Sequence, residues 1–502
     1  LNTGEDLIKN NYSTKSASYA QWLFLNSKYH FAIADYKEAK ESLLESISIL
    51  GTVFGKTHVR LSPLYAELAK TYMSENISNS KLANSTYENA KNIVRSAFGT
   101  ENPAYAILEV EQAKLQIEIQ NFEEAAQNLF KAEKFWTTKL GEENIYTAEI
   151  YLVQGLMNYK KKNYANAEKL YKKSAQQYSS IFNSSYIHYL TATTGLAKVA
   201  YMYKDYEKAD QYIKEVLNAR LKFTTNNFSV MSSGQKSGFW AQFKEEFELA
   251  NAISYVLITQ KGDKKSSISL YNRAINTKGM LLNSDARLRK VVFESGDSIL
   301  IATFNEWLEQ KEFFASASAY SNAQLKEENI SLDKIEGRIA DLEKKINQKI
   351  NGDINANHKM YDWVEVREAL PKRSSAVEVM RFRYFSHEFT DSVVYAALII
   401  NENTKAYPQA VFLGEGKKME KGYLKYYRNA TIGKIDDLNS YQAFFAPIKD
   451  KIPDNHTIFF AGEGVYTQLN VEMLLNPEKN QFALQANSFV FITNTKDMIP
   501  EE

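Results

Sequence analysis

A short motif recurs along the first half of the chain at a nearly constant spacing. It consists of Asn or Asp, an aromatic residue, two variable positions and then Ala, and its three best copies begin at Asn121, Asn163 and Asp205. The alanines of these copies lie 42 residues apart, and two upstream copies begin at Asp35 and, in degraded form, at Asn79. A fixed period of this size, with apolar residues at helical spacing between the copies, predicts a solenoid of helical hairpins.

A second mark runs in phase with the first. An apolar residue followed by a turn residue recurs at steps of 44, 42 and 42 residues, as Phe54-Gly55, Phe98-Gly99, Leu140-Gly141 and Phe182-Asn183. Glycine permits a positive φ, so this mark predicts where the second helix of each hairpin ends. The small Ala of the motif lets the two helices of a hairpin lie close together. We therefore predict about five hairpins over residues 13–218.

The pattern resembles the tetratricopeptide repeat, in a longer form of about 42 residues. The fourth hairpin carries the family's alternation of large and small residues best, with Tyr151, Gly155, Tyr164, Ala167 and Tyr171. The second hairpin fits poorly, because Ser80 occupies the aromatic position. The resemblance implies that these residues form a core, and that the concave face of the solenoid binds a protein or peptide.

Composition excludes several classes of protein. The chain has 502 residues, enough for two or three domains, and its 61 basic and 60 acidic side chains give no overall charge that favours nucleic acid or a membrane surface. No apolar run reaches the length of about 18 residues that a membrane span needs. Cysteine is absent, which removes disulfides, thiolate metal sites and cysteine nucleophiles from this chain. The chain begins at Leu1 without a signal-peptide pattern, and the sequence leaves the compartment open, with the cytoplasm slightly favoured.

Downstream of the repeats the helical pattern continues, but its period blurs. We predict divergent helical repeats over residues 219–297 that close the apolar end of the solenoid, with an exposed loop at 224–238, where Ser, Asn and Gly are concentrated. Residues 298–350 are predicted to form a long charged helical hairpin. Its apolar positions recur at steps of three or four, at Ile335, Ile339, Leu342, Ile346 and Ile350.

After residue 361 the periodicity becomes that of strands. Strands are predicted at residues 377–385, 393–400, 410–413, 457–460 and 489–492, with a helix at 437–448. The first strand alternates strictly, as a half-buried strand does, and the second is continuously apolar, as in a central strand covered on both faces. Residues 361–502 are thus predicted to form an α/β sheet domain that is incomplete. The predicted fold class is α+β multidomain, a helical solenoid followed by a partial sheet domain.

Residues 457–470, Thr-Ile-Phe-Phe-Ala-Gly-Glu-Gly-Val-Tyr-Thr-Gln-Leu-Asn, resemble part of the CHAT domain, a caspase-like domain commonly attached to tetratricopeptide repeats in bacteria. Glu463 stands where that family usually has Asp. Val377-Glu378 and the stretch from Phe491 to Thr495 match as well, so the resemblance spans about 140 residues. It implies a caspase-like fold. In the complete family domain it also implies a cysteine endopeptidase, whose His–Cys dyad lies beyond the point that matches Thr495.

No catalytic residue carries over from this resemblance. Attack requires a thiolate and a base, but the chain has no Cys, and none of its six histidines matches the family's catalytic His: His30, His58, His188, His358, His387 and His456. No His, Asp or Glu cluster has metal-ligand spacing. The sequence therefore predicts no catalytic, cofactor-binding or metal-binding residue. Gly414-Glu415-Gly416 and Gly462-Glu463-Gly464 read as a hairpin tip and a turn rather than as phosphate loops.

Two functions follow as alternatives. In the first, the chain is the partner-sensing repeat region and the N-terminal, non-catalytic portion of a CHAT-type cysteine peptidase, and is inactive alone. In the second, it is a non-catalytic tetratricopeptide scaffold or adaptor. Both predict a protein or peptide partner on the repeat surface, no nucleic acid and no membrane-spanning segment, and both leave the oligomeric state open.

Overall fold

The computed structural model of the chain describes residues 13–32, 35–227, 233–278, 289, 291–317, 320, 322–350 and 360–500. These residues group into two compact units. The repeat unit lies within Leu1–Tyr203, Gln211–Arg220 and Gly234–Phe243, and the sheet unit within Lys204–Asp210, Leu221–Ser233 and Lys244–Glu502.

The repeat unit is a succession of antiparallel helical hairpins. The first helices of the hairpins are α1 (Ala17–Ala32), α3 (Ser62–Glu75), α5 (Pro103–Glu118), α7 (Ile145–Lys160) and α9 (Ile187–Met202). The second helices are α2 (Tyr36–Phe54), α4 (Ser80–Phe98), α6 (Phe122–Leu140) and α8 (Tyr164–Ile181), and α10 (Tyr206–Asn227) follows in sequence. Four apolar clusters of this unit each join two neighbouring hairpins, so the core is continuous along the stack. The predicted helical solenoid is confirmed for the N-terminal part.

Both kinds of hairpin turn use left-handed backbone. The glycine marks Gly55, Gly99 and Gly141 end second helices with φ of 95°, 78° and 82°, as predicted. The turn within a hairpin also uses positive φ, but at non-glycine residues, since Gln120 and Lys162 each have φ of 61°. Each directly precedes the Asn of the motif, whose N–H closes the preceding helix by a bond to a carbonyl five residues earlier.

The next helices differ from the sequence prediction. α10 continues to Asn227 and α11 (Ser233–Lys261) begins at Ser233, so most of the predicted loop at 224–238 is helical, and residues 228–232 lie outside the described part. α12 (Ser266–Thr277) packs on the sheet through Leu270, Tyr271 and Ala274. The region 219–297, predicted to close the solenoid, therefore contributes at least this helix to the sheet unit. Residues 279–288 are not described.

The charged segment forms a helical hairpin. α13 (Ser298–Ala317) and α15 (Leu332–Ile350) lie antiparallel on either side of the short α14 (Asn322–Glu327). Ion pairs fix this direction, because Arg338 pairs with Glu306 near the middle of the two helices and Lys349 pairs with Asp297 at the end where α13 begins and α15 finishes. The apolar side chains between the helices are Phe304, Trp307, Leu342 and Ile346.

The sheet domain begins with α16 (Trp363–Ala369). A five-stranded mixed sheet follows, with the order β3-β2-β1-β4-β7. Its strands are β1 (Ser374–Phe385), β2 (Phe389–Asn401), β3 (Gln409–Leu413), β4 (Thr457–Ala461) and β7 (Ser488–Phe491). β1 pairs antiparallel with β2, and β2 with β3, whereas β1 with β4 and β4 with β7 are parallel pairs. β5 (Leu475–Asn476) and β6 (Gln481–Phe482) form a separate small ribbon, after which α19 (Ala483–Ala486) leads into β7.

Both faces of the central strands are buried. On β2, Tyr395 and Ala397 face one apolar cluster and Ala396 and Leu398 the other, so the prediction of a strand covered on both faces is confirmed. The prediction that β1 is half-buried is wrong. Val377 and Val379 belong to the apolar cluster on one face and Ala376 and Met380 to the cluster on the other, so both faces are covered, and Glu378 is completely buried.

Two further sequence predictions in this domain are corrected. Gly414-Glu415-Gly416 is not a hairpin tip, because β3 ends at Leu413 and a helical segment begins at Gly416. That segment runs through a π-helical turn at 419–423 into α17 (Leu424–Gly433). The helix predicted at 437–448 is shorter: a π turn at 441–445 leads into α18 (Ala446–Lys449), because Asp437 instead caps the turn before it.

Candidate functional site: the inner face of the repeats and a buried ionic cluster

The first helices form the inner side of the solenoid. Successive first helices contact one another, from α1 with α3 to α7 with α9, more closely than successive second helices do. A stack with this asymmetry curves toward its first helices. We call the side formed by α1, α3, α5, α7 and α9 the inner face.

Charged side chains link neighbouring first helices across the inner face. Lys114 on α5 pairs with Glu149 on α7 at 2.7 Å, and Glu149 lies 3.2 Å from Nδ1 of His188 on α9. At the C-terminal ends of the same two helices, Lys160 of α7 donates to Glu118 of α5 at 2.8 Å. We call these five residues the inner-face ladder.

Glu149 is the centre of the ladder. Its Oε2 also accepts a 2.6 Å hydrogen bond from the hydroxyl of Tyr178, which is itself buried. Burial alone would raise the pKa of the Glu149 carboxyl, but Lys114 and His188 outweigh burial and lower it. Burial would likewise lower the pKa of Lys114, but the carboxylates of Glu111 and Glu149 raise it. The ladder therefore holds ionised groups in fixed positions on an otherwise closely packed surface.

Part of the charge pattern around the ladder also repeats in the sequence, in addition to the aromatic and glycine marks. Lys70 and Lys114 both stand fifteen residues after a glycine mark, and Glu67 and Glu111 both stand twelve after it. The two Glu–Lys pairs are formed in the structure, at 3.2 and 2.7 Å. In the first two hairpins an aromatic contact replaces an ion pair, since Lys70 on α3 lies 4.2 Å from the ring centroid of Phe31 on α1.

A second cluster of ionised groups is buried in the sheet unit. Nζ of Lys278, just after α12, donates to Oε1 of Glu378 at 2.7 Å and to the carbonyl oxygens of Ala461 and Val379 at 2.9 and 3.2 Å. Oε2 of Glu378 accepts from both N–H and hydroxyl of Thr495 at 2.8 Å. Both oxygens of the carboxylate thus have partners, and the cluster joins α12, the central strand and the segment after β7.

The surroundings of this cluster favour a structural role. Asn494 donates to the carbonyls of Ile275 and Lys278, and the hydroxyl of Tyr271 lies 2.8 Å from that of Thr495. Glu463, in the turn after β4, accepts from the backbone N–H of Arg381 at 3.0 Å, and burial raises the pKa of its carboxyl.

Glu378 could have been recognised in the sequence. Side chains two residues apart share a face of a strand, so Glu378 shares its face with Met380 and Phe382, which are too apolar to face water. This signal indicated that the face carrying Glu378 is buried, whereas the strand was predicted only as half-buried.

His188, His30 and His456 lie in different parts of the structure. His188 lies in the inner-face ladder, His30 is 3.0 Å from Asp35, and Nδ1 of His456 is 3.1 Å from the hydroxyl of Ser375. His358 lies outside the described residues. Across the described ranges no group of three or more His, Asp or Glu side chains is placed to hold a metal ion, and no helix is both long and apolar enough to cross a membrane.

Comparison with known proteins identifies the repeats. Residues 146–222 match the tetratricopeptide repeat family. No curated protein matches the chain. Tetratricopeptide repeats are protein-interaction modules, which supports a scaffold role for the repeat unit.

Several solved structures have a similar arrangement of helices. The TPR-like repeats of a Podosopora anserina kinesin light chain are 15% identical, with a TM-score of 0.33, covering 41% of this chain and 98% of that one. BtubC (BKLC) from P. vanneervenii is 15% identical, with a TM-score of 0.36, covering 44% and 87%. A Rap protein complexed with Competence and Sporulation Factor is 13% identical, with a TM-score of 0.38, covering 56% and 74%.

Proposed function

We propose that the chain is a scaffold that binds a protein or peptide on the inner face of its repeats. The observation that carries this proposal is the inner-face ladder. It presents charged groups from three successive first helices on one side of the solenoid, on side chains that are partly exposed. Pre-positioned charges of this kind fix the register of a bound chain and discriminate between partners more than they add affinity.

Site-specific photo-crosslinking in the native cell tests this proposal. A photoreactive phenylalanine replaces Ile107 on α5, which is 43% exposed and stands four residues before Glu111 on the same helix face. The matched control replaces Phe130 on α6, a second helix, where the side chain is 66% exposed. We expect a discrete cross-linked partner from position 107 and not from position 130.

A charge variant adds an independent readout. Lys114→Glu places a third carboxylate beside those of Glu111 and Glu149 and so reverses the local charge. The yield of the cross-linked partner at position 107 should therefore fall. A partner captured only at position 130, or one captured at 107 to the same extent after Lys114→Glu, would contradict inner-face binding.

We propose in addition that the sheet unit is the N-terminal, non-catalytic portion of a CHAT-like, caspase-like peptidase domain, and that the repeats sense a partner for it. The support is the difference between the two edges of the sheet. At the β3 edge, Val411 and Phe412 are half-buried against the two apolar clusters. At the β7 edge, Val490 and Phe491 are 40% and 50% exposed, on opposite faces of the strand. A further strand with its own covering layer would bury both.

The reading frame of the gene and an activity assay separate this proposal from a purely non-catalytic scaffold. A peptidase predicts a His and a Cys after further strands, cleavage of the cross-linked partner by the full gene product, and loss of that cleavage on Cys→Ala. Saturable binding without hydrolysis by the full gene product would instead contradict the peptidase proposal and support only the scaffold proposal.

A further inference from the structure

The most basic short stretch in the sheet unit lies on its surface. Between residues 416 and 434 there is one acidic residue, Glu420, and six basic ones: Lys417, Lys418, Lys421, Lys425, Arg428 and Lys434. All six basic side chains are exposed. The chain as a whole has 61 basic and 60 acidic side chains, so this concentration of charge is local. Two acidic residues follow, Asp436 and Asp437, of which Asp437 caps the next turn by accepting from the N–H groups of Asn439 and Ser440. We call residues 416–438 the basic tip.

The basic tip keeps an excess of positive charge, because it contains six basic side chains and three acidic ones. The carboxylate of Glu420 points inward, where it accepts from Arg381 at 2.6 Å and from the Tyr395 hydroxyl at 3.1 Å. Lys421 and Lys425 form no ion pair with any residue that the structure describes. Lys418 pairs only with Glu415, and both of those side chains are exposed, so the pair contributes little.

Large apolar side chains project from the same surface. Ile432 is 81% exposed, more than any other large apolar side chain in the described ranges, and Ile435 and Leu438 are 63% and 53% exposed. They follow one another around the end of α17, where Lys434 adopts φ of 51°. Tyr423 and Tyr426 are also exposed.

The basic tip is firmly attached to the domain beneath it. Met419, Leu424 and Ala430 are buried, and the first two belong to the main apolar cluster of the sheet. The exposed isoleucines therefore do not result from a poorly packed helix. The segment buries one face and presents the other, which combines cations, tyrosines and projecting aliphatic groups.

We propose that the basic tip docks on an anionic lipid surface. A surface that combines basic and aliphatic side chains suits the boundary between lipid headgroups and acyl chains. There lysine and arginine contact the anionic headgroups, and aliphatic side chains insert among the acyl chains. Tyrosine is enriched at this same boundary. Ile432 and Ile435 are 81% and 63% exposed at this turn, whereas the anchors of a protein interface usually fill pockets. This site is separate from the inner face and does not depend on the proposed scaffold function.

Vesicle co-sedimentation of the full 502-residue chain tests the proposal. We expect binding to vesicles of mixed phosphatidylcholine and phosphatidylserine, and little binding to pure phosphatidylcholine. Each cation near such a surface contributes about a fivefold gain in binding, so Lys421→Gln with Lys425→Gln should weaken it roughly 30-fold. High salt should have a similar effect.

Matched variants test the two components of the site separately. Lys344→Gln with Lys345→Gln removes the same charge from exposed positions on α15 and should leave binding unchanged. Ile432→Ser should weaken binding to mixed vesicles, whereas Ile299→Ser, at a position 67% exposed on α13, should not. Circular dichroism of each variant checks that the fold is retained.

Several outcomes would overturn the proposal. They are no binding to mixed vesicles, equal binding to pure phosphatidylcholine, and equal loss from the control and test lysine pairs. If soluble polyglutamate displaces the vesicles while Ile432→Ser binds them as the parent does, the basic tip recognises an acidic polypeptide instead.

Discussion

Tyr171 lies between two glycines that belong to different hairpins. A Cβ added to Gly155 on α7 would lie 2.7 Å from the Tyr171 ring, and one added to Gly195 on α9 would lie 2.5 Å from it. The ring of α8 thus fills notches in both flanking first helices. Gly155 and Tyr171 were predicted as core positions from the repeat pattern. Gly195 was not, because it stands two residues away from the equivalent place in the next repeat.

We expect Gly195→Ala to destabilise the repeat unit. The added methyl group meets the side of a buried ring that neighbouring helices hold in place, and such overpacking costs about 1–3 kcal/mol. Gly337→Ala on α15 is the matched control. There a Cβ would contact nothing within 4 Å, so the better helix propensity of Ala should stabilise by up to about 1 kcal/mol. Thermal unfolding measures both, and an unchanged or higher Tm for Gly195→Ala would contradict the close packing.

Glu109 occupies a position at which two other repeats carry a tyrosine. It stands ten residues after the glycine mark, as Tyr65 and Tyr151 do in their hairpins. It is 3% exposed, its Oε1 has no hydrogen-bond partner, and Nζ of Lys131 is 3.9 Å away. Burial raises the pKa of the Glu109 carboxyl, although Lys91 and Lys131 partly oppose this.

We expect Glu109→Gln to stabilise the repeat unit at neutral and alkaline pH. Because the carboxyl has a higher pKa in the folded chain than in the unfolded chain, its ionisation favours unfolding, and the parent loses stability as the pH rises past the unfolded value. The gain should be about 1 kcal/mol at about pH 8 and smaller at about pH 4, where the acid is largely protonated in both states. Thermal melts at the two pH values measure this. A lower Tm for the variant at both would indicate that Lys131 stabilises the ionised form.

At the scale of elements, β1 shows why an alternating pattern did not reveal burial. The pattern distinguishes two faces, but whether the second face meets water depends on the layer that packs on it, and distant segments such as α12 and α16 supply that layer. β1 is also central because β4 joins it in parallel from beyond residue 456, and no local feature of residues 374–385 specifies that pairing. The buried Glu378 then needs internal partners, which Lys278 and Thr495 provide from distant parts of the sequence.

We expect Lys278→Met to destabilise the sheet unit strongly. The substitution leaves the Glu378 carboxylate buried without a counterion, which costs about 3–5 kcal/mol. Lys349→Met is the control, because it breaks an ion pair whose partners, Lys349 and Asp297, are 46% and 41% exposed, and it should cost less than about 1 kcal/mol. Urea unfolding compares them. Similar losses from the two variants would rule out a special contribution of the buried pair.

The helical segment before α17 was missed for a different reason. Its buried residues Met419 and Leu424 are five apart, a spacing that fits neither a regular helix nor a strand. The π turn at 419–423 adds one residue to a helical turn, which brings both side chains to the same face. Periodicity therefore failed there, while the flanking glycines suggested a turn.

At the scale of the whole molecule, the sequence predicted the two kinds of architecture better than their boundary. The solenoid was predictable because each hairpin repeats the same local signals. The sheet was predictable from short apolar runs. Helices such as α12 carry an apolar stripe that fits a repeat and a sheet equally well, so the sequence alone did not assign it to a unit.

We expect the purified chain to show no thiol-dependent peptide hydrolysis. It contains no Cys, so iodoacetamide has no cysteine nucleophile to block. Assays with and without iodoacetamide on the isolated chain measure this, with a cysteine peptidase as the positive control. Hydrolysis by the pure chain that iodoacetamide abolishes would contradict the expectation.

The repeat unit combines a stiff region with a compliant one. The rigid ring of Tyr171 packs directly against the backbones of α7 and α9 at Gly155 and Gly195, which leaves no free space between them. Around α5, adjoining helices meet through amides as well as apolar side chains, since Gln112 bonds to Lys91 and Glu88 and Gln116 bonds to Asn128. Water can replace such hydrogen bonds one at a time. A bound partner that bends the solenoid should therefore deform it first at the third hairpin. Hydrogen exchange would register this as faster loss of protection in α5 than in α7.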